Sequence, residues 1–350
     1  MKTGSTEVKV SRRALLIGAG GLAVGAAIAS SGSWPGPFVG ESRLQVARFA
    51  AMGTFLDFTL PCASGSAVQQ AVATIARLER CMTVFSPGSE LSGVNASAAS
   101  ARQPVSTDLA MVLAQCRTIH RLTDGAFDPT VGPLMRAWGF RGGRPTRLPG
   151  RDLLGASLKQ TGLQWVDLSP GGVAFGADGL GLDLGGIGKG YAADRAAEVL
   201  RAADLNGLVN VGGDLRSVGA QPDGAPWQVG VRHPLRGDEL LARIELAPGQ
   251  AVATSGTYEQ RFEVDGREVT HILDPRSGEP VHSVVSATVV APSAMEADAL
   301  ATAACVLGTV ATMRLVDLLP GVEALLVARD SNRFRVEATG GMKVHMLSAV

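Results

Sequence analysis

Apolar residues recur at helical spacing through residues 66–82, where Val68, Val72, Ile75, Leu78 and Met82 keep one face. A second helical pattern starts at Ser106 or Thr107, passes through Leu109, Leu113, Cys116 and Ile119, and stops by Gly125. A third follows a glycine cluster, with Ala192, Ala196, Val199 and Leu200 in register. A fourth opens at Ser293-x-x-Glu296, the pattern of a capping box, and runs through Leu307 to a stop at Gly308. A further helix is expected over 310–319. Between these stretches the period falls to two. Residues 45–60 read as strand–turn–strand, and short strands are expected within 165–182 and at 208–211, 286–290, 324–327 and 334–337. Residues 227–272 read as an antiparallel meander punctuated by Gly256 and the Asp265-Gly266 turn. Residues 85–95 and 141–151 read as polar loops. With no repeat and no internal linker, the pattern predicts an α+β fold: a single compact domain with mixed or antiparallel sheets and packed helices.

Composition narrows the function classes. The 350 residues carry a formal net charge of zero, which argues against a nucleic-acid surface and its basic excess. The first thirty residues differ in kind. Arg12-Arg13 precede an apolar, Gly/Ala-rich run over 14–29, too short and too weakly hydrophobic for a membrane span, and Ala27-Ile28-Ala29 supplies a small-x-small cleavage pattern. This start resembles a twin-arginine export signal, which implies a periplasmic or otherwise extracytoplasmic protein. The expected division is a signal over 1–29, a linker over 30–44 and one domain over 45–350. Cys62, Cys81, Cys116 and Cys305 form no CxxC pair and read as core residues.

Three stretches carry candidate chemistry. In the first, a strand bearing Asp183 meets Gly185, Gly186, Gly188 and Gly190, with Lys189 inside the cluster and a helix after it. Backbone without Cβ approaches a ligand closely, and helix N-termini attract anions. A Walker A loop is excluded because Gly190 follows Lys189 where Ser or Thr is needed, and a Rossmann fingerprint because Tyr191 stands where Gly or Ala is needed. A turn that binds nothing fits the local sequence as well. In the second, Asp298 and Thr302 lie four apart on the capped helix, so their oxygens leave from one face and suit a hard cation such as Mg²⁺. A solvent-facing Asp with a Thr bonded back to the helix is the alternative, which the apolar residues around the pair argue against. In the third, His271 ends a strand with Asp274 on the following turn, a pair that could orient a nucleophile, take its proton or contact a phosphate. A capping Asp-Pro turn beside an incidental histidine fits as well.

Taken in order, the chain resembles the FAD:protein FMN transferase (ApbE) family. The resemblance is carried by Met52-Gly53-Thr54, by Ser89-Glu90-Leu91 with Asn95, and by Asp124 through Thr130 with Trp138-Gly139-Phe140. It continues through Asp183 to Tyr191, Asp194, Asn210 to Asp214, Thr254-Ser255-Gly256, His271 to Gly278, and Asp298 to Thr302. Each motif is weak alone, and eight in this order are specific.

That resemblance implies an ApbE-like, T-fold-related α+β architecture. It implies Mg²⁺-dependent transfer of FMN from FAD to a Thr or Ser hydroxyl of an acceptor protein, with release of AMP. Typical acceptors are FMN-carrying subunits or domains of membrane redox complexes, and a homodimer stays open. Asp298 and Thr302, with a backbone carbonyl near Gly188, would hold Mg²⁺. Met52, Ser89, Glu90, Leu91, Asp128, Trp138, Lys189 and His271 would line the FAD site. Lys189 and the glycine-turn amides would stabilise phosphate charge, and His271 oriented by Asp274 would serve as base. Gly188 stands where many relatives carry Ala, and Phe85 where many carry Tyr. An FAD-binding protein, an Mg²⁺-dependent FAD pyrophosphatase and a non-enzymatic assembly factor remain open alternatives.

Overall fold

The strand Val284–Ala291 reads V-V-S-A-T-V-V-A, and every residue in it is buried. A strand alternates its side chains between two faces, so unbroken burial means that both faces are covered. In the computed structural model, which describes residues 26–28, 44–61, 65–141, 143, 147–330, 333–348 and 350, this strand lies inside an eight-stranded sheet. Its order is Arg333–Ala338, Glu323–Asp330, Val284–Ala291, Ala251–Gly256, Asp214–Val218, Gly207–Val211, Thr54–Leu60 and Gln45–Ala51. Every pairing in it is antiparallel, so the mixed arrangement allowed by the sequence is not used.

The two faces of the sheet feed separate cores. Val209, Val211, Ala251, Ala253, Ala287, Val289 and Leu326 point to the larger core, shared with helices Gly65–Met82, Thr107–Leu122, Gly188–Ala202 and Ala294–Leu307. Their neighbours Leu208, Val252, Val290, Leu325 and Val327 point to a second core, closed by Trp227, Val229, Val231, Ile244 and Leu246. These last residues belong to the hairpin Trp227–Arg232/Leu240–Leu246, which is edged by Val344–Met346 and by the backbone of Ala26–Ile28. Layers therefore run helix, sheet, sheet. Helices Gly188–Ala202 and Ala294–Leu307 pack on each other and on the middle of the large sheet. Cβ-poor surfaces allow that closeness: Ala192, Ala193, Ala196 and Ala197 on one helix and Ala297, Ala301 and Ala304 on the other are buried.

Several expectations change. The supposed meander over 227–272 is three separate pieces. Its first hairpin joins the small sheet, Ala251–Gly256 inserts into the large one, and Arg261–Val264 pairs with Arg267–Thr270 as a free-standing hairpin. Sequential strands need not be neighbours once both faces of a sheet are apolar, which local periodicity does not reveal. The stretch expected to be a loop over 85–95 contains the helix Glu90–Ser97, capped by Ser89, whose Oγ accepts from Ser92 N. Helices Gly132–Ala137 and Arg151–Lys159 lie where the sequence pattern predicts none. The helix at Ala294–Leu307 starts and stops as predicted: Ser293 Oγ accepts from Glu296 N, and Gly308 takes φ 77°.

Cys81, Cys116 and Cys305 are buried free thiols, as expected of core residues. Cys62 lies outside the described residues. So does the predicted signal apart from Ala26–Ile28, and the predicted linker apart from Leu44. No helix among the described residues is long and apolar enough to cross a membrane.

Candidate functional site

A cleft of ≈ 640 Å³ opens where the glycine turn, the face of helix Ala294–Leu307 bearing Asp298 and Thr302, and the segment around His271 converge. Its floor is polar. Lys189 Nζ lies 2.7 Å from Asp214 Oδ2 and 3.7 Å from Asp298 Oδ2, so one ammonium serves two buried carboxylates. Burial and the charge of Asp298 push the Asp214 carboxyl well above the usual range, against the pull of Lys189. Lys189 is raised from its ordinary value: burial opposes the charge, but Asp214 and Asp298 outweigh it. Glu259, also on the lining, is pushed up to about 7, first by burial. Thr302 Oγ1 sits 3.1 Å from Ser255 Oγ on the same floor.

The floor is rigid because its elements interlock. Gly190 N donates to Asp298 Oδ2 at 3.0 Å, and a Cβ on Gly190 would lie 2.2 Å from the Ala294 carbonyl oxygen. Asp194, one turn further along, accepts from both Ala294 N and Met295 N at 2.9 Å. The helix bearing Lys189 thus caps the helix bearing Asp298 and Thr302, a use of a carboxylate at a helix N-terminus. Gly186 closes against Thr302, where a Cβ would stand 2.9 Å from Oγ1. A Cβ on Gly188 would meet only Met82 and Leu184 at ordinary contact distance, so alanine fits there.

One expectation about this turn is corrected. Its amides do not form an open anion nest: Gly185 N donates to Asp183 Oδ1, Gly188 N to Leu184 O, and Gly190 N to Asp298. The turn brings Lys189 to the cleft and seats Asp298, while most of its N–H groups hold the turn together.

The wall carries His271. Its Nδ1 lies 3.2 Å from the Gln260 carbonyl oxygen, which can only accept, so the neutral ring is protonated at Nδ1 and keeps its lone pair on Nε2. Burial pulls this imidazole down to about 4; the Gln260 bond opposes, and the charges of Arg141 and Lys189 add to the lowering. At neutral pH it is an uncharged base. Asp274 does not orient it. That carboxylate takes Arg276 Nε at 2.9 Å, Arg276 NH2 at 3.0 Å and Arg276 N at 2.9 Å, closing its own turn. An Asp-Pro turn followed by arginine satisfies the acid locally, and the role falls to a backbone carbonyl eleven residues upstream.

Of the other expected FAD-site residues, the structure brings Met52 and Asp128 to the cleft and leaves four off its lining. Met52 sits at φ 53° in the tight turn Ala51–Thr54, beside Gly53 at φ 69°. Both central residues are left-handed, as hairpin turns of this kind require. The Asp128 carboxylate is engaged behind the surface: Oδ1 accepts from Thr130 N and Thr130 Oγ1, and Oδ2 from Leu163 N. Ser89 caps its helix and donates to Thr83 O; Glu90 accepts from Ser106 N and Cys81 Sγ; Leu91 is fully buried. Trp138 is buried in a satellite core with Leu134, Val269 and Leu273, and its Nε1 donates to Gly278 O at 2.7 Å. These four lie off the cleft lining.

Sequence reasoning misses Glu259, Ser255 and Arg141 on the lining and Asp214 behind Lys189. Asp214 and Ser255 lie inside family motifs but carry no local signal of a role, and Arg141 falls in a stretch that reads as loop. The apolar part of the cleft is lined by Met82, Phe127, Val131, Met135 and Leu273.

Oxygen donors and charge on the floor fit a hard divalent cation. Asp298 and Thr302 offer a carboxylate and a hydroxyl from one face of the helix, with the Ser255 hydroxyl beside them. No group of three or more His, Cys, Asp or Glu among the described residues forms a cage by itself. Mg²⁺ characteristically keeps waters and substrate phosphates as ligands, so a sparse protein share is in character.

Comparison with known proteins adds identity. The model of the ApbE family matches residues 52–326. The FAD:protein FMN transferase of Salmonella typhimurium is 34% identical over 274 residues, covering 76% of this chain and 78% of the relative. That of Escherichia coli (strain K12) is 30% identical over 318 residues, covering 88% and 90%. Among solved structures, the ApbE protein of Thermotoga maritima superposes with a TM-score of 0.77 at 32% identity, covering 85% of this chain and 97% of that one. The flavin transferase ApbE from Vibrio cholerae gives 0.76 at 29% identity, with the same coverage. A family match over residues 52–326, relatives matched over most of their length and the shared α+β architecture agree, and the chain belongs to the ApbE family.

Proposed function

We propose that this protein transfers FMN from FAD to a threonine or serine hydroxyl of an acceptor protein, releasing AMP, in an Mg²⁺-dependent reaction outside the cytoplasm. The relatives' names supply the class of reaction, flavin transfer to proteins. The observation that carries the finer reading is that one cleft holds a neutral imidazole with a free Nε2 lone pair beside the Lys189–Asp298–Thr302 floor. A base on the wall and a charge-stabilising floor are what a hydroxyl attack on a diphosphate needs.

The residues divide the work as follows. The cleft volume, ≈ 640 Å³, suits a dinucleotide, and the Met and Phe side chains of its apolar part suit a flat ring system. His271 Nε2 accepts the proton of the acceptor hydroxyl as that oxygen forms its bond to the phosphorus of the FMN half. The bond from that phosphorus to the oxygen shared with the AMP half breaks, and the electron pair leaves with AMP. Lys189, held by Asp214 and Asp298, presents fixed positive charge to the phosphate oxygens. Mg²⁺ bound by Asp298 and Thr302 would supply Lewis-acid stabilisation of the diphosphate. Gln260 holds the imidazole in the tautomer that can accept. Export through the twin-arginine pathway, read from Arg12-Arg13 and the run after them, belongs to the same proposal. The acceptor would be an extracytoplasmic flavoprotein subunit or FMN-binding domain.

Purified protein incubated with FAD and Mg²⁺, with and without such an acceptor domain, tests this reading. Transfer predicts AMP release in step with acceptor flavinylation. AMP release at the same rate without acceptor would instead assign a pyrophosphatase, and retained FAD with no AMP in either case a binding protein.

A further inference from the structure

Charge balance in the cleft leaves one residue unexplained. Glu79, Asp128, Asp183, Glu259 and Asp298 all contribute to its lining. A diphosphate entering this acidic surface needs cations. Among the described lining residues the fixed ones are Lys189 and Arg141, because burial holds His271 neutral. Lys189 already answers to two buried carboxylates. Arg141 answers to one.

Arg141 is also unusually well fixed for a residue at the edge of a Gly/Pro/Arg-rich loop. Its Nε donates to Asp183 Oδ2 at 2.8 Å and its NH2 lies 2.7 Å from the same oxygen. NH1 donates to the Phe140 carbonyl at 3.0 Å, and the guanidinium stands over the Phe85 ring, 4.8 Å from its centroid. Asp183 is itself buried and tied down by Gly185 N. These contacts use one hydrogen on each nitrogen, so each terminal nitrogen keeps a further N–H. Phe85 is 74% exposed, and its ring face packs against the guanidinium. Asp183 leads directly into the turn that carries Lys189, so one short segment positions both cations of the cleft. Both also act on the base, since Arg141 and Lys189 each lower His271.

The geometry points to Arg141 as a second cationic contact for the diphosphate of the dinucleotide, held ready by Asp183 and Phe85. The assignment rests on the FAD reading of this cleft. The fork is ordered before the ligand arrives, so little side-chain entropy is lost on binding. An arginine that only tied its loop to Asp183 would not distinguish phosphorylated from unphosphorylated ligands.

Equilibrium binding of FAD, ADP and riboflavin in the presence of Mg²⁺, measured first on the unmutated protein, separates these roles. Arg141→Gln should weaken FAD and ADP by roughly 10- to 100-fold and leave riboflavin unchanged, the scale of a lost charged hydrogen bond. Arg141→Lys, which keeps the charge and loses the fork, should recover part of that loss. Equal weakening of riboflavin and ADP would reduce Arg141 to a shaping residue, and unchanged ADP binding in both variants would remove it from the site. If the unmutated protein bound none of the three, the FAD reading itself would fall, and the assignment of Arg141 with it.

Discussion

The floor of the cleft and its wall are built in different ways. On the floor, two helices and the middle of the large sheet fix Lys189 and Asp298 more than once. Gly190 binds Asp298, Asp194 caps the helix that carries it, and Lys189 bridges Asp214 and Asp298. On the wall, His271 is held by the Gln260 carbonyl and an edge contact with Phe140, and Arg141 by Asp183, the Phe140 carbonyl and the Phe85 ring. Behind the wall, Trp138, Leu134, Val269 and Leu273 form a small core apart from the two larger ones. The floor is a rigid charge template, and the wall is a lighter structure that presents the base. Stability should therefore respond to damage on the floor, and chemistry with little loss of stability to damage on the wall.

The largest effect should come from the floor. Asp298→Ala removes the carboxylate that would hold the cation and leaves Gly190 N without its acceptor. Transfer should fall by about 10³-fold or more, and chelation of Mg²⁺ should reproduce that loss in the unmutated protein. Steady-state AMP release measures both, and a variant as active as the parent would take the metal away from Asp298.

Next comes a paired substitution on the glycine turn. Alanine in place of glycine gains about 1 kcal/mol of helix propensity. At Gly188 the new Cβ meets Met82 at 3.8 Å, so Gly188→Ala should be neutral or stabilising. At Gly190 it would press on the Ala294 carbonyl and Asp298 Cβ, and overpacking of this kind costs about 1–3 kcal/mol. Gly190→Ala should lower Tm by several degrees and reduce activity with it. Equal melting temperatures for the two variants would show that the helices are free to move apart.

The pH profile is a smaller but more specific readout. Burial holds the folded His271 at about 4, below its ordinary value of 6.5, so the imidazole stays neutral down to that pH. The acid limb of kcat/KM that belongs to this base should lie near pH 4, not near 6.5. The same lowering means that the stability linked to His271 is full above pH 6.5 and is lost as pH falls through about 4. A limb centred at 6.5 would place the ring in water. The smallest effect should belong to Asp274→Asn. Its carboxylate binds Arg276 and not His271, so transfer should change by less than roughly tenfold. A loss as deep as that of a His271 variant would restore Asp274 as its partner.

The same contrast explains what is legible in the sequence. The legible part of the floor lies in motifs whose members share a helix or a turn: Asp298 with Thr302, Lys189 with its glycines, Ser293 with Glu296. Spacing along a helix is geometry, so the order of residues alone is enough to pair them. The floor's contacts of Lys189 with Asp214, Gly190 with Asp298 and Ser255 with Thr302 join distant segments and are not legible. The wall depends on contacts distant in sequence. Arg141 meets Asp183, Trp138 meets Gly278, and Asn95 holds both N–H and C=O of Leu182. No local period announces them. Proximity in sequence then misleads, pairing His271 with Asp274 three residues away and missing Gln260, which faces it at the open end of the hairpin Arg261–Val264/Arg267–Thr270. The fold shows the same limit. Most helix and strand positions are readable from periodicity, while the dispersal of residues 227–272 among three sheets is set by which apolar faces have to be covered.

The most direct test of a wall-borne base above a charge-bearing floor is the mass of an acceptor domain after reaction with FAD and Mg²⁺. The unmutated enzyme should add one FMN per acceptor. His271→Ala should keep its melting temperature and most of its FAD binding, and lose transfer by about 10²- to 10⁴-fold. Flavinylation by that variant at a near-normal rate would contradict the assignment of His271 Nε2 as the proton acceptor.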